Sequence, residues 1–113
     1  MDNKDIRMER AELKRIGAKP HKNSGRGTIQ KGDGSTDDFV VDVKHAAKSF
    51  TLNLNVWSKI CTDTMRVDKS KSPLLYLIIG EGDKKVRLAV MEYDMLEYLL
   101  EGKKNGQDGT RAD

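Results

Sequence analysis

The chain is short of several things, and each shortage narrows what it can be. It holds one cysteine, Cys61, in 113 residues, so no disulfide can form within it and no cysteine-cluster zinc site can be built. No apolar run approaches the roughly 20 residues that a bilayer span requires. The opening "MDNKDIRMER" has no apolar stretch able to act as a secretory signal. The expected setting is the cytoplasm. At 36% hydrophobic and 35% charged residues, the chain also lacks the apolar content to spread a core evenly, so its core must be built from a few concentrated segments. A length of 113 residues suits one domain and one core.

What charge there is lies unevenly. Residues 1–31 carry nine Lys/Arg against four Asp/Glu, whereas residues 51–101 carry seven against eight, within a net charge of +3. The basic excess, including "KPHKNSGRG", is compatible with a polyanionic partner and equally with a solvated face.

The spacing of Ile6, Leu13 and Ile16 predicts a helix over residues 4–17, stopped by Gly17, with Glu9 on its apolar stripe and Glu12 on the neighbouring line. "AKPHKNSGRG" is loop. "GTIQK" at 27–31 is a short strand candidate, hairpin-paired with "FVVDVK" at 39–44 across the turn "GDGSTDD". From Asn55, the stripe Val56, Trp57, Ile60, Cys61, Thr64, Met65 predicts an amphipathic helix with an asparagine cap. "LLYLIIG" after Pro73 reads as a central strand covered on both faces. "KKVRLAVM" follows as its antiparallel partner, with Val86, Leu88 and Val90 inward. Asp94 and Glu97 resemble a capping box for a last helix carrying Leu96, Leu99 and Leu100, ended by Gly102. Residues 103–113 have the composition of a disordered tail. The order α-β-β-α-β-β-α describes a small α/β or α+β sheet with helices packed against it, one domain over 1–102.

Successive strand residues alternate in direction, so Asp42 and Lys44 project from the same face while Phe39, Val41 and Val43 take the other. Taken alone, "VDVK" is the polar side of an ordinary strand. A hairpin would bring Asp33 back beside Asp42, and Glu9 on the inward stripe of the first helix can add a third carboxylate. Clustered carboxylates are stabilised by a hard cation such as Mg²⁺, held through one or two of them with water completing the shell. A lysine beside that cation can orient water and neutralise charge on a phosphate.

Asp33 followed by Asp42-Val43-Lys44 resembles the PD-(D/E)xK nuclease signature. Together with Glu9, "NSGRGTIQKGD" and "KSFTLN", it resembles archaeal-type and phage Holliday-junction resolvases, over residues 9–91. Two letters depart from the signature: no proline precedes Asp33, and the central acid is Asp rather than Glu. The resemblance implies a restriction-endonuclease-like fold and a divalent-metal-dependent endonuclease, a homodimer that cuts branched DNA, with Mg²⁺ or Mn²⁺ as cofactor. It places the metal with Asp33, Asp42, Val43 and Glu9 and gives Lys44 the nucleophilic water. Lys22, Ser24, Gly25, Arg26 and Lys31, with Lys48 and Ser49 after the strand, would meet the DNA backbone. Asp37 and Asp38 compete with Asp33 for the first metal position on spacing alone. A non-catalytic nucleic-acid-binding protein with the same fold is the second expectation, and a small protein-interaction module the third.

Other chemistries fall away. "DGSTDD" reaches Lys44 where a calcium loop needs its twelfth-position Glu, and no Gly-Lys-Ser/Thr follows the glycines of "SGRGTIQKGDG". His21 and His45 are too few for a histidine metal centre. Cys61 and Trp57 lie in the apolar stripe of the middle helix, which points to a core thiol for the first and a core or dimer-interface role for the second.

Overall fold

A computed structural model of the chain describes residues 3–21 and 33–112, with side chains over 7–21 and 33–102. Its elements are α1 (Asn3–Arg15), β1 (Lys19–Pro20), β2 (Gly34–Ser35), β3 (Phe39–Ala46), α2 (Leu54–Val67), β4 (Ser72–Ile79), a 3₁₀ turn at Gly82–Lys84, β5 (Val86–Val90) and α3 (Tyr93–Ala112). The five strands form one mixed sheet in the order β1-β2-β3-β4-β5. No helix among the described residues is long and apolar enough to cross a membrane.

The centre of the sheet is parallel. β3 and β4 run side by side from Phe39↔Ser72 to Ala46↔Ile79, and every other pairing is antiparallel. Parallel neighbours need a crossover, which α2 supplies. This explains why "LLYLII" is apolar without alternation: β4 is covered on both faces. Leu74, Tyr76 and Ile78 join Leu13, Ala18, Phe39, Val41 and Val43 on one side, while Leu75 and Leu77 pack with Ile60 of α2 on the other. Val41 and Leu75 are fully buried, each contributing roughly 1.5–3 kcal/mol by leaving water.

α1 ends as expected, with Gly17 at φ +76° in the left-handed region that favours glycine. α2 is capped by Asn53, whose side chain accepts from the Val56 amide at 2.9 Å; the cap therefore falls two residues before Asn55. The hairpin partner of β3 is Gly34–Ser35 (Gly34↔Val41, Ser35↔Val40), with Lys19–Pro20 outside it. The expected strand at 27–31 lies outside the described residues.

Three details differ from expectation. On the outer strand β5, Val86 and Leu88 are exposed, because α2 covers the middle of the sheet and does not reach this edge. α3 begins at Tyr93 with Asp94 already in its first turn, and the Glu92 carbonyl receives the Met95 and Leu96 amides, so Asp94 is not the cap. The helix also runs through Gly102, which has no left-handed φ to stop it, and takes up residues 103–112.

Gly34 is required by space. A Cβ there would stand 2.8 Å from the Lys19 carbonyl oxygen and 2.9 Å from Leu13 Cδ2, where α1, β1 and β2 meet. Gly34→Ala is expected to lower stability by about 1–3 kcal/mol, the ordinary range for overpacking, measured by denaturant unfolding.

Candidate metal and phosphodiester site

The site grows out of a ladder that stops early. β2 pairs with only two residues of β3, Val40 and Val41, so the rest of that edge of β3 has no strand beside it among the described residues. Asp33, immediately before β2, continues the pairing with its side chain. Its amide donates to the Val41 carbonyl at 2.8 Å, and its Oδ2 accepts the Val43 amide at 2.6 Å. The Val43 amide thus fixes one carboxylate beside the strand that carries two of the other charged groups.

Asp42 and Lys44 share a face of β3, as alternation predicts, and their charged ends lie 3.3 Å apart. That face is the one covered by α2, since Asp42 pairs in register with Leu75 and Lys44 with Leu77. Burial raises the Asp42 carboxyl above the ordinary range; Lys44 opposes this and the charges of Asp33 and Asp63 add to it. Glu9, half-buried on α1, interacts with the same group. Its carboxyl is raised to about 7, first by burial, then by the Asp33 charge and a hydrogen bond with Asp33, then by Asp42; Lys44 pulls the other way. Glu9, Asp33, Asp42 and Lys44, spread over 36 residues of sequence, are therefore one electrostatic unit.

Asp33, not Asp37 or Asp38, is the acid beside Asp42. The other two are exposed and line a separate cavity of about 550 Å³ with Lys19 and Lys71. The Val43 side chain is buried in the core, so only its backbone carbonyl is open to a ligand role. Lys48 and Ser49 are exposed just past β3. Lys22, Ser24, Gly25, Arg26 and Lys31 lie outside the described residues. Beside Glu9 and Lys44, at the carboxyl ends of the two parallel strands, opens a cavity of about 460 Å³ floored by Ala46, Ala47 and Gly80. Crevices at that end of parallel strands are where open α/β sheets bind ligands.

Among the described residues, no group of three or more His, Cys, Asp and Glu is drawn together tightly enough to hold a metal ion by itself. A hard divalent cation does not demand that, since Mg²⁺ takes one or two carboxylates and keeps several waters. The donor chemistry fits: hard oxygens only, and a carboxylic acid, Glu9, that keeps its proton to a pH near 7 because it is partly buried and its neighbours are carboxylates.

Sequence reasoning placed Glu12 only on a side line of the helix. It is buried, and it accepts from Tyr76 Oη at 2.6 Å and from Arg87 Nε and Nη2 at 2.9 and 3.1 Å. Its partners come 64 and 75 residues later, so no local pattern signals them. His45 is exposed, and His21 bonds Ser35 through Nε2. Cys61 is half-buried outside the core cluster, its thiol raised by burial. Trp57 packs on the α2 side of the core and donates to Glu92.

Comparison with protein-family models, with curated proteins and with solved structures found no match to this chain.

Proposed function

We propose that this protein is a divalent-metal-dependent DNA endonuclease with a restriction-endonuclease-like fold, selective for branched DNA in the manner of a phage-type Holliday-junction resolvase and working in the cytoplasm as a homodimer. One observation carries the reading: Asp33 accepts the Val43 amide of β3 with its carboxylate and thereby stands in one charged cluster with Asp42, Lys44 and Glu9.

In this reading Asp33, Asp42, the Val43 carbonyl and Glu9 would hold Mg²⁺ or Mn²⁺, which would supply Lewis acidity toward a phosphate and a more acidic water. Lys44 keeps its ammonium beside Asp42, where it orients the attacking water and faces the charge that grows on the phosphate. Asp33 holds its position through the Val43 amide, and Glu9 would serve such an ion in its deprotonated form. Lys48 and Ser49 flank the site for backbone contact, which supplies affinity without sequence reading.

Cleavage of a four-way DNA junction tests the reading, with linear duplex as the control. Junction cleavage with Mg²⁺ or Mn²⁺ and none in chelator is expected. Junction binding that is indifferent to metal, with no cleavage by either ion, would instead indicate a protein that keeps the fold and only binds DNA.

The proton on Glu9 gives a second check. An acid whose folded pKa, about 7, stands above its ordinary 4.5 favours the folded state fully below 4.5, and that contribution is lost as pH rises through 7. In chelator, the thermal midpoint of the parent protein should fall relative to that of Glu9→Gln between pH 4.5 and 7.5. Adding Mg²⁺ at pH 7.5 should recover the loss in the parent and recover less of it in the variant. Parallel pH curves for the two proteins would sever Glu9 from the cluster.

A further inference from the structure

The cavity of about 460 Å³ beside Glu9 and Lys44 has a lining that the metal chemistry leaves unused. Its size falls within the roughly 300–1,000 Å³ of sites that take up a small molecule. Its floor is built from small residues: Ala46 and Ala47 close the end of β3, and Gly80 follows β4. Gly80 has a reason of its own, since its φ of +107° favours glycine and a Cβ there would stand 2.9 Å from Lys85 Cα. The alanines have no such reason. Ala46 is the last residue of a fully paired strand, where alanine is a poor former, and Ala47 is exposed. The room they leave is open to a ligand.

Charge decides what kind of ligand fits. Two carboxylates, Glu9 and Glu81, line the space against one ammonium, Lys44, which already lies 3.3 Å from Asp42. A second phosphate would meet more negative charge there than positive. A neutral, flat group would not, and Met8 and His45, both exposed, offer it a polarizable sulfur and an aromatic face. Glu81 makes no side-chain capping bond to the 3₁₀ turn that follows it, so its carboxylate can accept from an amine on the rim of such a group. A nucleobase combines these properties: it is uncharged, stacks on its faces and donates hydrogen bonds from its edge.

We propose that this cavity receives one unpaired nucleobase of the strand being cut, held against His45 and Met8 while its phosphate faces Lys44. Such a pocket rests on the nuclease reading of the same site, and it accounts for selectivity toward branched DNA. In continuous duplex a base must be unstacked and unpaired before it can enter, and that cost is smallest where the base is already out of regular pairing, as at a branch.

Binding of the full chain to a four-way junction in chelator tests it, with abasic nucleotides placed one at a time around the branch. One position should weaken parental binding at least fivefold, the lower end of what a stacked base contributes. Ala47→Leu, which fills the floor, and His45→Ala, which removes the aromatic face, should each lose at least fivefold on the intact junction and nothing further on the junction carrying that abasic nucleotide. His45 is exposed, so its variant reads the contact even if Ala47→Leu disturbs folding. Abasic positions without effect, or losses equal on intact and abasic DNA, would overturn the pocket while the parent still cuts the junction with Mg²⁺ or Mn²⁺. The nuclease reading fails by a different signature, a junction bound with the expected abasic pattern and cut with neither ion. A chain that does not bind the junction at all would overturn both.

Discussion

Asp42→Asn and Lys44→Ala should each reduce junction cleavage by about 10²–10⁴-fold while leaving junction binding in chelator within a few-fold of the parent. The magnitude is that of losing one positioned acid–base group or one preorganised charge at a reacting centre. The separation of binding from cleavage follows from where these residues stand. Asp42 is partly enclosed by α2 and its neighbouring acids, and its removal takes a carboxylate from the cluster without touching the exposed Lys48. Binding should actually tighten slightly for Asp42→Asn in chelator, because one negative charge facing the phosphates is gone. Asp33→Asn has a different signature: its amide oxygen can still accept the Val43 N–H, so the fold is kept while the metal affinity is lost. Cleavage by Asp42→Asn at the parental rate would remove the basis of the assignment.

The second large effect is on stability. Glu12→Ala should cost about 2–3 kcal/mol in denaturant unfolding, since it deprives a buried tyrosine hydroxyl and a forked guanidinium of their common acceptor. For a domain of this size that lowers the thermal midpoint by about 8–13 °C. Tyr76→Phe removes one of the three bonds and should cost less. The bond with Arg87 is the largest influence holding the Glu12 carboxyl down at about 2; the Tyr76 hydroxyl adds to it and burial opposes it. A depressed acid contributes stability that is present above its ordinary pKa of 4.5 and lost as pH falls toward 2. The parent and Glu12→Gln should therefore differ most near neutral pH and converge in acid. A constant difference from pH 7 to pH 2 would mean that packing, and not charge, is what Glu12 supplies.

These two acids, three positions apart on α1, show what the sequence made legible. Glu9 was readable because it shares a stripe with Ile6 and Leu13, and a stripe is a local property of helical spacing. Glu12 was not, since its role is set by β4 and β5. The same division runs through the fold. β3, α2, β4 and β5 have strong periodic or apolar signals, and the stop at Gly17 has a conformational cause visible in one residue. β1 and β2 are two residues each, too short for any alternation to register, and Gly34 is there for clearance, not for propensity. The parallel direction of β4 could be inferred only from its even apolarity. Facing on β5 could not be inferred at all, because alternation says which residues share a side and not whether a helix lies over that side.

Asp42 and Lys44 ride on a strand paired over its full eight residues with β4, whereas Glu9 comes from α1 and Asp33 from the approach to the two-residue β2. Leu13 and Ala18 fasten that edge to the core and Glu12 ties α1 to β4 and β5, so a cation bridging Asp33 to Asp42 would act as one more clasp between the edge and the centre of the sheet.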